Sequence, residues 1–155
     1  MPDLTYADFD LNDRKNYFVF SFVRNPWDRM VSIWNYHFNH GLPSFKEFIR
    51  SDFKYNKMNT NKPKKAVFNH TRQMVDYLNM IDLDFAGRFE NLESDWKHVA
   101  KIIDVSQEIP HANKGQHRTK KTDYTEYYDD DDIAVIRKRY KDDIKTFNYD
   151  FKKGN

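Results

Sequence analysis

The distribution of apolar residues along the chain predicts two strand, turn and helix units. The run NYFVFSFVR, residues 16–24, is continuous, rich in aromatic and β-branched residues, and ends in a charge. Such a run is typical of a strand buried on both faces, as in a parallel sheet covered by helices. The run LDFAGRFENL, residues 83–92, repeats the pattern. We therefore expect Phe18 to Val23 and Asp84 to Arg88 to form neighbouring parallel strands.

Each predicted strand is followed by a helix with one apolar stripe. Asn25 can cap the first helix, and Pro26 fits its first turn, where a backbone N–H is not needed. This helix should continue to about Phe38, and the second should begin at Leu92. The apolar positions at helical spacing are Trp27, Met30, Val31, Trp34 and Phe38 in the first helix, and Leu92, Trp96, Val99, Ile102 and Ile103 in the second. Both helices should pack against the sheet.

The middle of the chain predicts shorter elements. Ser44 and Glu47 have the spacing of a capping box, which predicts a short helix within residues 44–53. Residues 54–65 show no apolar period and predict an exposed loop. The stretch 71–78 is compatible with a further short helix.

The last third of the chain predicts one long loop and one helix. Residues 106–125 carry a basic cluster without any period, and long loops in compact domains are often functional. The final helix should begin in the acidic run 129–132, which suits the positive end of the helix dipole. Its apolar face consists of Ile133, Ile136, Tyr140, Ile144 and Phe147.

Length and composition restrict the class of protein. A chain of 155 residues suits one domain, and 39% apolar with 32% charged residues is typical of a folded globular protein. Because there is no cysteine, disulfides and thiolate zinc sites are excluded. A net charge of +2 does not favour a nucleic-acid partner. The sequence shows neither a signal peptide nor a long apolar span, so we expect a soluble, cytoplasmic protein.

The junction between the first strand and its helix is where ligand chemistry is expected. A strand ending at Arg24 and a helix starting near Pro26 place a guanidinium beside unpaired backbone N–H groups and the positive end of a helix dipole. Ser32 lies roughly 140° from the centre of the apolar stripe, near Asp28 and Tyr36. The alternative is that Arg24 pairs with an acidic neighbour and that Ser32 is simply solvated.

The stretch FSFVRNPWDRMVS resembles the 3′-phosphate-binding segment of sulfotransferases that use 3′-phosphoadenosine 5′-phosphosulfate (PAPS). The stretches DFAGRFENLESDWKHVAKII, IPHANKG and YKDDIKTFNYDF are similar, in order and spacing, to Golgi-type carbohydrate sulfotransferases and their bacterial and phage relatives. The resemblance covers roughly residues 15–151. It implies a P-loop-like, three-layer α/β fold with a central parallel sheet. It also implies PAPS as the donor, a hydroxyl acceptor such as a carbohydrate, and no metal.

The resemblance assigns roles to individual residues. Arg24 and Ser32 would bind the 3′-phosphate of PAPS. Lys114 and Arg118 lie where related enzymes fold a basic segment over the donor, although a solvated basic loop is the alternative. His70 is the candidate catalytic residue.

Three further positions fall in stretches that match the family. Gln73 lies in the span that faces the acceptor and is a candidate substrate-binding residue. Arg88 and Glu90 match a family pattern at a strand end, and we expect them to form a structural ion pair that braces the sheet.

One family feature has no counterpart in this sequence. Related enzymes begin with a loop of the type Pro-Lys-x-Gly/Ala-x-Thr-Ser that holds the 5′-phosphosulfate, and no glycine here precedes Lys-Ser or Lys-Thr. Residues 1–155 are therefore interpreted as a single partial sulfotransferase domain, incomplete at the N-terminus. We expect one exposed apolar sheet edge, which would favour self-association or pairing with the missing segment.

Three functions remain compatible with the sequence. The first is PAPS-dependent sulfation, which we expect to be very slow in this chain without the missing loop. The second is a catalytically silent domain that binds a nucleotide or a polyanion. Nucleic-acid binding through NKPKK and KGQHRTKK is disfavoured, because 24 acidic residues nearly balance 26 basic ones.

Overall fold

The structure is a computed structural model that describes residues 11–38, 43–51, 70–78, 82–109 and 123–151. Its strands and helices are β1 (Phe20–Val23), α1 (Pro26–Phe38), α2 (Phe45–Arg50), α3 (Val75–Leu78), β2 (Phe85–Arg88), α4 (Leu92–Ile102), α5 (Asp130–Arg139) and α6 (Lys141–Phe147). Short 3₁₀ turns occur at Leu11–Asn16, Phe89–Asn91 and Tyr124–Tyr127.

The two strands form a parallel pair, as the sequence predicts. Phe20 lies opposite Phe85, and Val23 lies opposite Arg88. Just before β2, a carboxylate oxygen of Asp84 accepts a hydrogen bond of 2.7 Å from the backbone amide of Val19, which extends the connection between the strands. Parallel strands need a long crossover, and here helices α1 to α3 lie within it.

The prediction that both strands are buried on both faces is wrong. Only Val23 in β1 and only Gly87 in β2 are buried. The described residues form a two-stranded sheet. In a sheet of two strands each strand lies at an edge, so neither is flanked by strands on both sides. The structure thus shows mixed helix and strand with a small parallel sheet, while the P-loop-like, three-layer arrangement stays a prediction.

The apolar stripe of α1 is buried against helices rather than against the sheet. Trp27, Met30 and Val31 are fully buried, as predicted, and Trp34 is partly buried. The cluster around them is completed by Ile33, Phe38, Phe45, Phe48, Ile49, Ile133, Ile136 and Tyr140. Among the described residues it contains no strand residue, and α1 packs on the turn Tyr124–Tyr127, on α2 and on α5.

The stripe predicted for α4 is only half correct. Val99 is fully buried, but Ile102 and Ile103 are 48% and 36% exposed. Ile102 is the last residue of α4 and Ile103 is its C-cap, so the exposed part of the predicted stripe is the carboxyl end of the helix.

The single C-terminal helix predicted from the sequence is two helices. The acidic start is confirmed, since Asp129 and Asp132 form a capping box. The helix breaks at Tyr140, whose buried hydroxyl donates a hydrogen bond of 2.7 Å to the carbonyl of Thr71. The break allows α6 to turn the buried Asp143 toward α3.

The other predictions have mixed outcomes. The capping box of Ser44 and Glu47 is present at the start of α2. The stretch 71–78 contains the four-residue helix α3. The loop predicted over 54–65 lies outside the described residues. In the part of the chain that the structure describes, no helix combines the length and hydropathy required to cross a bilayer.

Candidate functional site

Arg24 lies directly after β1, at the start of α1. Its Nε donates a hydrogen bond of 2.6 Å to a carboxylate oxygen of Asp28, four residues further on. The guanidinium also lies over the ring of Phe89, 4.3 Å from its centroid. Its two Nη groups make no hydrogen bond within the described ranges. Arg24 is therefore held by an acid and a ring, with the donors at its tip available to an anion.

The expected unpaired amides at the start of α1 are not found. The side-chain oxygen of Asn25 accepts hydrogen bonds from the amides of Trp27, at 3.0 Å, and Asp28, at 3.4 Å. The Asn25 amide itself donates to Glu90 at 2.6 Å. These contacts form because Asn25 is buried at 6% exposure, and buried amides need acceptors. An anion at this junction would thus depend on side-chain donors and the helix dipole.

Ser32 lies on the same side of α1 as the pair formed by Arg24 and Asp28. It follows Asp28 by one helical turn, and i, i+4 positions are neighbours on a helix surface. Ser32 is half-buried, and its hydroxyl makes no hydrogen bond to another residue that the structure describes. Arg24 and Ser32 are thus separated by about two turns, with the carboxylate of Asp28 between them.

Arg88 and Glu90 brace the sheet, but the ion pair expected between them is not formed. Arg88 donates to the carbonyl of Phe147 and lies over the ring of Tyr149, 4.8 Å from its centroid. Glu90 accepts hydrogen bonds from Asn25 and from the hydroxyl of Tyr149. The two side chains therefore bind different partners. Burial raises the pKa of the Tyr149 hydroxyl, which keeps it a hydrogen-bond donor.

A cleft of about 360 Å³ opens beside Arg24. Its walls are residues 21–24 along β1 and the side chains of Arg29, Met74, Tyr77 and Leu78. Because β1 pairs with β2 on one side only, the cleft occupies the other edge of the strand. Apolar side chains thus cover part of that edge, and its association with another copy or segment stays a prediction.

Arg29 is the second cation of the cleft. One of its terminal nitrogens donates a hydrogen bond of 2.8 Å to the carbonyl of His70. The other is buried, 3.8 Å from a carboxylate oxygen of Asp143, and has no hydrogen-bond partner among the described residues. Asp143 accepts the amides of Met74 and Val75 at 2.9 and 2.8 Å. Burial raises the pKa of this carboxyl.

The remaining predicted site residues lie in different places. His70 is exposed, and its Nδ1 is 2.9 Å from Nε2 of His37. Gln73 is paired with Asp142 through two contacts of 3.3 Å, so the described structure uses it to join two segments. Lys114 and Arg118 lie outside the described residues.

Sequence reasoning did not identify Arg29 and His37 as members of this region. Arg29 lies five positions after Arg24 within the same motif, and this short spacing could have indicated a second cation near Arg24. His37 gave no signal of its own, because it falls on the buried side of α1 and its neighbour His70 is 33 positions away.

The fold and site define an α/β protein with a cationic cleft at the end of a parallel strand. A family model described as "Sulfotransferase family" matches residues 5–150, so the chain belongs to the sulfotransferase family. An uncharacterized protein of Archaeoglobus fulgidus is 35% identical over 97 residues, which are 60% of this chain and 72% of that protein. No solved structure matches the chain.

Proposed function

We propose that this chain transfers a sulfuryl group from PAPS to a hydroxyl group of an acceptor, and that the acceptor is a carbohydrate. The observation that carries the proposal is Arg24 at the carboxyl end of β1, with donors available at its tip, in a chain of the sulfotransferase family. Residues 1–155 are proposed to act as one partial domain.

The donor-binding role falls to side chains. Arg24 would donate to the 3′-phosphate through its Nη groups, and Ser32 would donate through its hydroxyl. Hydrogen bonds between a guanidinium and a phosphate are stronger than those between neutral groups. The carboxylate of Asp28 lies between them and opposes an anion there. Lys114 and Arg118 are proposed as further cations for the donor. PAPS supplies the sulfuryl group and the leaving nucleotide.

The acceptor-binding role falls to the cleft and to His70. The acceptor hydroxyl would lie near Arg29, whose hydrogen bond holds the backbone of His70. His70 would take the hydroxyl proton while the acceptor oxygen bonds to sulfur and the S–O bond to the nucleotide breaks. The bonding electrons leave with the nucleotide. Gln73 is proposed as an acceptor contact at the rim.

Calorimetric titration of the protein with adenosine 3′,5′-bisphosphate and with AMP tests the donor site. The bisphosphate should bind roughly 10- to 150-fold more tightly, because a charged hydrogen bond contributes about 1.5–3 kcal/mol. Arg24→Ala should remove this preference. Arg72→Ala is the matched control, since Arg72 also lies near an acid four residues further on, 3.9 Å away, and over a ring. Equal affinity for the two nucleotides would refute the assignment.

A second candidate function is nucleotide binding without catalysis. The specific observation in its favour is that the sequence contains no Pro-Lys-x-Gly/Ala-x-Thr-Ser loop. Transfer of radiolabelled sulfate from PAPS to a panel of glycans separates the two candidates. Transfer that exceeds that of Arg24→Ala supports the enzyme, whereas nucleotide binding with no transfer supports the silent domain.

A further inference from the structure

Two histidines from distant parts of the chain are hydrogen-bonded to each other. Nε2 of His37, in the last turn of α1, is 2.9 Å from Nδ1 of His70. A hydrogen bond between two imidazole nitrogens requires a proton on one of them and a bare lone pair on the other. The contact therefore requires one proton between the two nitrogens, either on Nδ1 of His70 or on Nε2 of His37.

The two rings differ in their exposure to solvent. His37 is buried, with 6% of its surface exposed, whereas His70 is exposed. Of the two rings, His70 is therefore the one that solvent or a ligand can reach. When Nδ1–H of His70 donates to Nε2 of His37, the other nitrogen of neutral His70 keeps a lone pair that can accept a proton. The nitrogen that exchanges a proton with the outside is then Nε2 of His70.

The surroundings connect this pair to the cationic cleft. Arg29, which lines the cleft, donates its 2.8 Å hydrogen bond to the His70 carbonyl. Behind Arg29 lies the buried carboxylate of Asp143, at 3.8 Å. The exposed ring of Tyr36 stands edge-on to His37 at 4.9 Å and lies 6.1 Å from His70. Among the described residues, Arg29 and the buried Asp143 behind it thus connect the pair to the cleft, and the neighbouring ring is the phenol of Tyr36.

We propose that His37 is a positioning residue that holds neutral His70 in the tautomer with its proton on Nδ1, leaving Nε2 bare and directed outward. In this tautomer His70 can accept a proton at Nε2 without losing its bond to His37. The catalytic use of that nitrogen rests on the proposed function. There, the acceptor hydroxyl proton moves to Nε2 of His70 as the oxygen bonds to sulfur and the S–O bond to the nucleotide breaks.

The tautomer can be measured directly, without any turnover. Long-range ¹H–¹⁵N correlation spectra of the ¹⁵N-labelled full chain distinguish a protonated Nδ1 from a protonated Nε2 in each histidine. In neutral His70, the proton should be on Nδ1. A proton on Nε2 of neutral His70 would overturn the proposal, because the outward nitrogen would then be unable to accept another.

Variants of His37 test whether this residue determines the tautomer of His70. His37→Ala should remove the tautomer preference of His70, whereas His37→Gln should keep it, since a glutamine amide oxygen can accept from Nδ1–H. His98→Gln is the control, because His98 is exposed on α4 and its ring lies tilted against that of Phe85, with 4.9 Å between the centroids, away from the pair. An unchanged His70 tautomer in a folded His37→Ala protein would contradict the proposal. The measurement on the unmodified chain remains decisive if that variant does not fold.

Kinetic measurements separate this inference from the proposed function. In sulfate transfer, His70→Ala should lower kcat roughly 10²- to 10⁴-fold, the usual range for loss of a general base. His37→Ala should show part of that loss with little change in KM, and His37→Gln should recover activity. If the unmodified chain transfers no sulfate while neutral His70 is protonated on Nδ1, the proposed function fails and the positioning role of His37 stands.

Discussion

The backbone amide of Asn25 donates a hydrogen bond of 2.6 Å to the carboxylate of Glu90, 65 positions further along the chain. The other carboxylate oxygen of Glu90 accepts the hydroxyl of Tyr149 at 3.1 Å. Glu90 thus connects the start of α1, the end of β2 and the segment after α6. Because Arg24 precedes Asn25 directly, this carboxylate also fixes the backbone that carries the proposed phosphate ligand.

Glu90→Ala should therefore destabilise the protein. The buried amide of Asn25 would lose its acceptor, and an unsatisfied buried donor costs about 1–3 kcal/mol. Urea unfolding measures the change. Glu90→Gln keeps an oxygen acceptor and should cost less. Equal stability of the alanine and glutamine variants would show that the contact contributes nothing.

Gly87→Ala should also be destabilising, because Gly87 faces Phe22 across the parallel pair. A Cβ at this position would lie 2.6 Å from Cε1 and 2.8 Å from Cδ1 of the Phe22 ring. The ring must move, and overpacking of this kind typically costs about 1–3 kcal/mol. Thermal or urea unfolding would detect it. Adding Phe22→Leu should restore part of the loss, whereas strictly additive effects would indicate that the two sites do not interact.

The two acidic side chains Asp143 and Asp129 should give opposite dependences of stability on pH. Burial raises the pKa of Asp143 above its ordinary value of 3.8, so its contribution is most favourable below pH 3.8 and declines as pH rises through the raised pKa. The hydrogen bond from Lys46 lowers the pKa of Asp129, so its contribution is present above pH 3.8 and is lost as pH falls through the lowered pKa.

Urea unfolding of the unmodified chain, Asp143→Asn and Asp129→Asn over a pH series measures both effects. The stability of the unmodified chain relative to Asp143→Asn should decrease as pH is raised from acid toward neutral. Relative to Asp129→Asn it should decrease as pH is lowered into the range below 3.8. If both stability differences changed with pH in the same direction, the predicted shifts of the pKa of Asp143 and of Asp129 would be refuted.

Asp28→Asn should increase the affinity for adenosine 3′,5′-bisphosphate. Asp28 holds Nε of Arg24 at 2.6 Å, and its charge opposes a phosphate beside that guanidinium. Partly exposed charge interactions are worth about 0.2–1 kcal/mol, which corresponds to an increase of up to roughly fivefold. Calorimetry would measure it, with AMP as the control ligand. Weaker binding would show that Asp28 orients Arg24 more than it repels the anion.

The sequence was sufficient for features that depend on neighbouring residues. The cap at Asn25, the capping box of Ser44 and Glu47, and the acidic start of α5 all follow from local hydrogen bonding, and all are present. The parallel pairing of β1 and β2 could also be predicted from the sequence, because apolar runs separated by helices favour parallel strands.

Features that depend on distant contacts could not be read in this way. The pattern of Tyr140 fits a continuous helix, but its hydroxyl bonds to Thr71, 69 positions earlier, where the helix breaks. The sequence predicts unpaired amides at the start of α1, but the amide of Asn25 donates to Glu90 and the amide of Trp27 donates to the side chain of Asn25. The contact between His37 and His70 likewise depends on how two separate segments pack.

The connections of Asn25 also determine when its surroundings can assemble during synthesis. Its side-chain nitrogen donates a hydrogen bond of 3.1 Å to the carbonyl of Asp150, 125 positions later. At a translation rate of 5–20 residues per second, that carbonyl is made roughly 6 to 25 s after Asn25. Helix α1, with its local cap, therefore leaves the ribosome well before Asp150 is made, and the contact that ties Asn25 to the end of the described chain forms only afterwards.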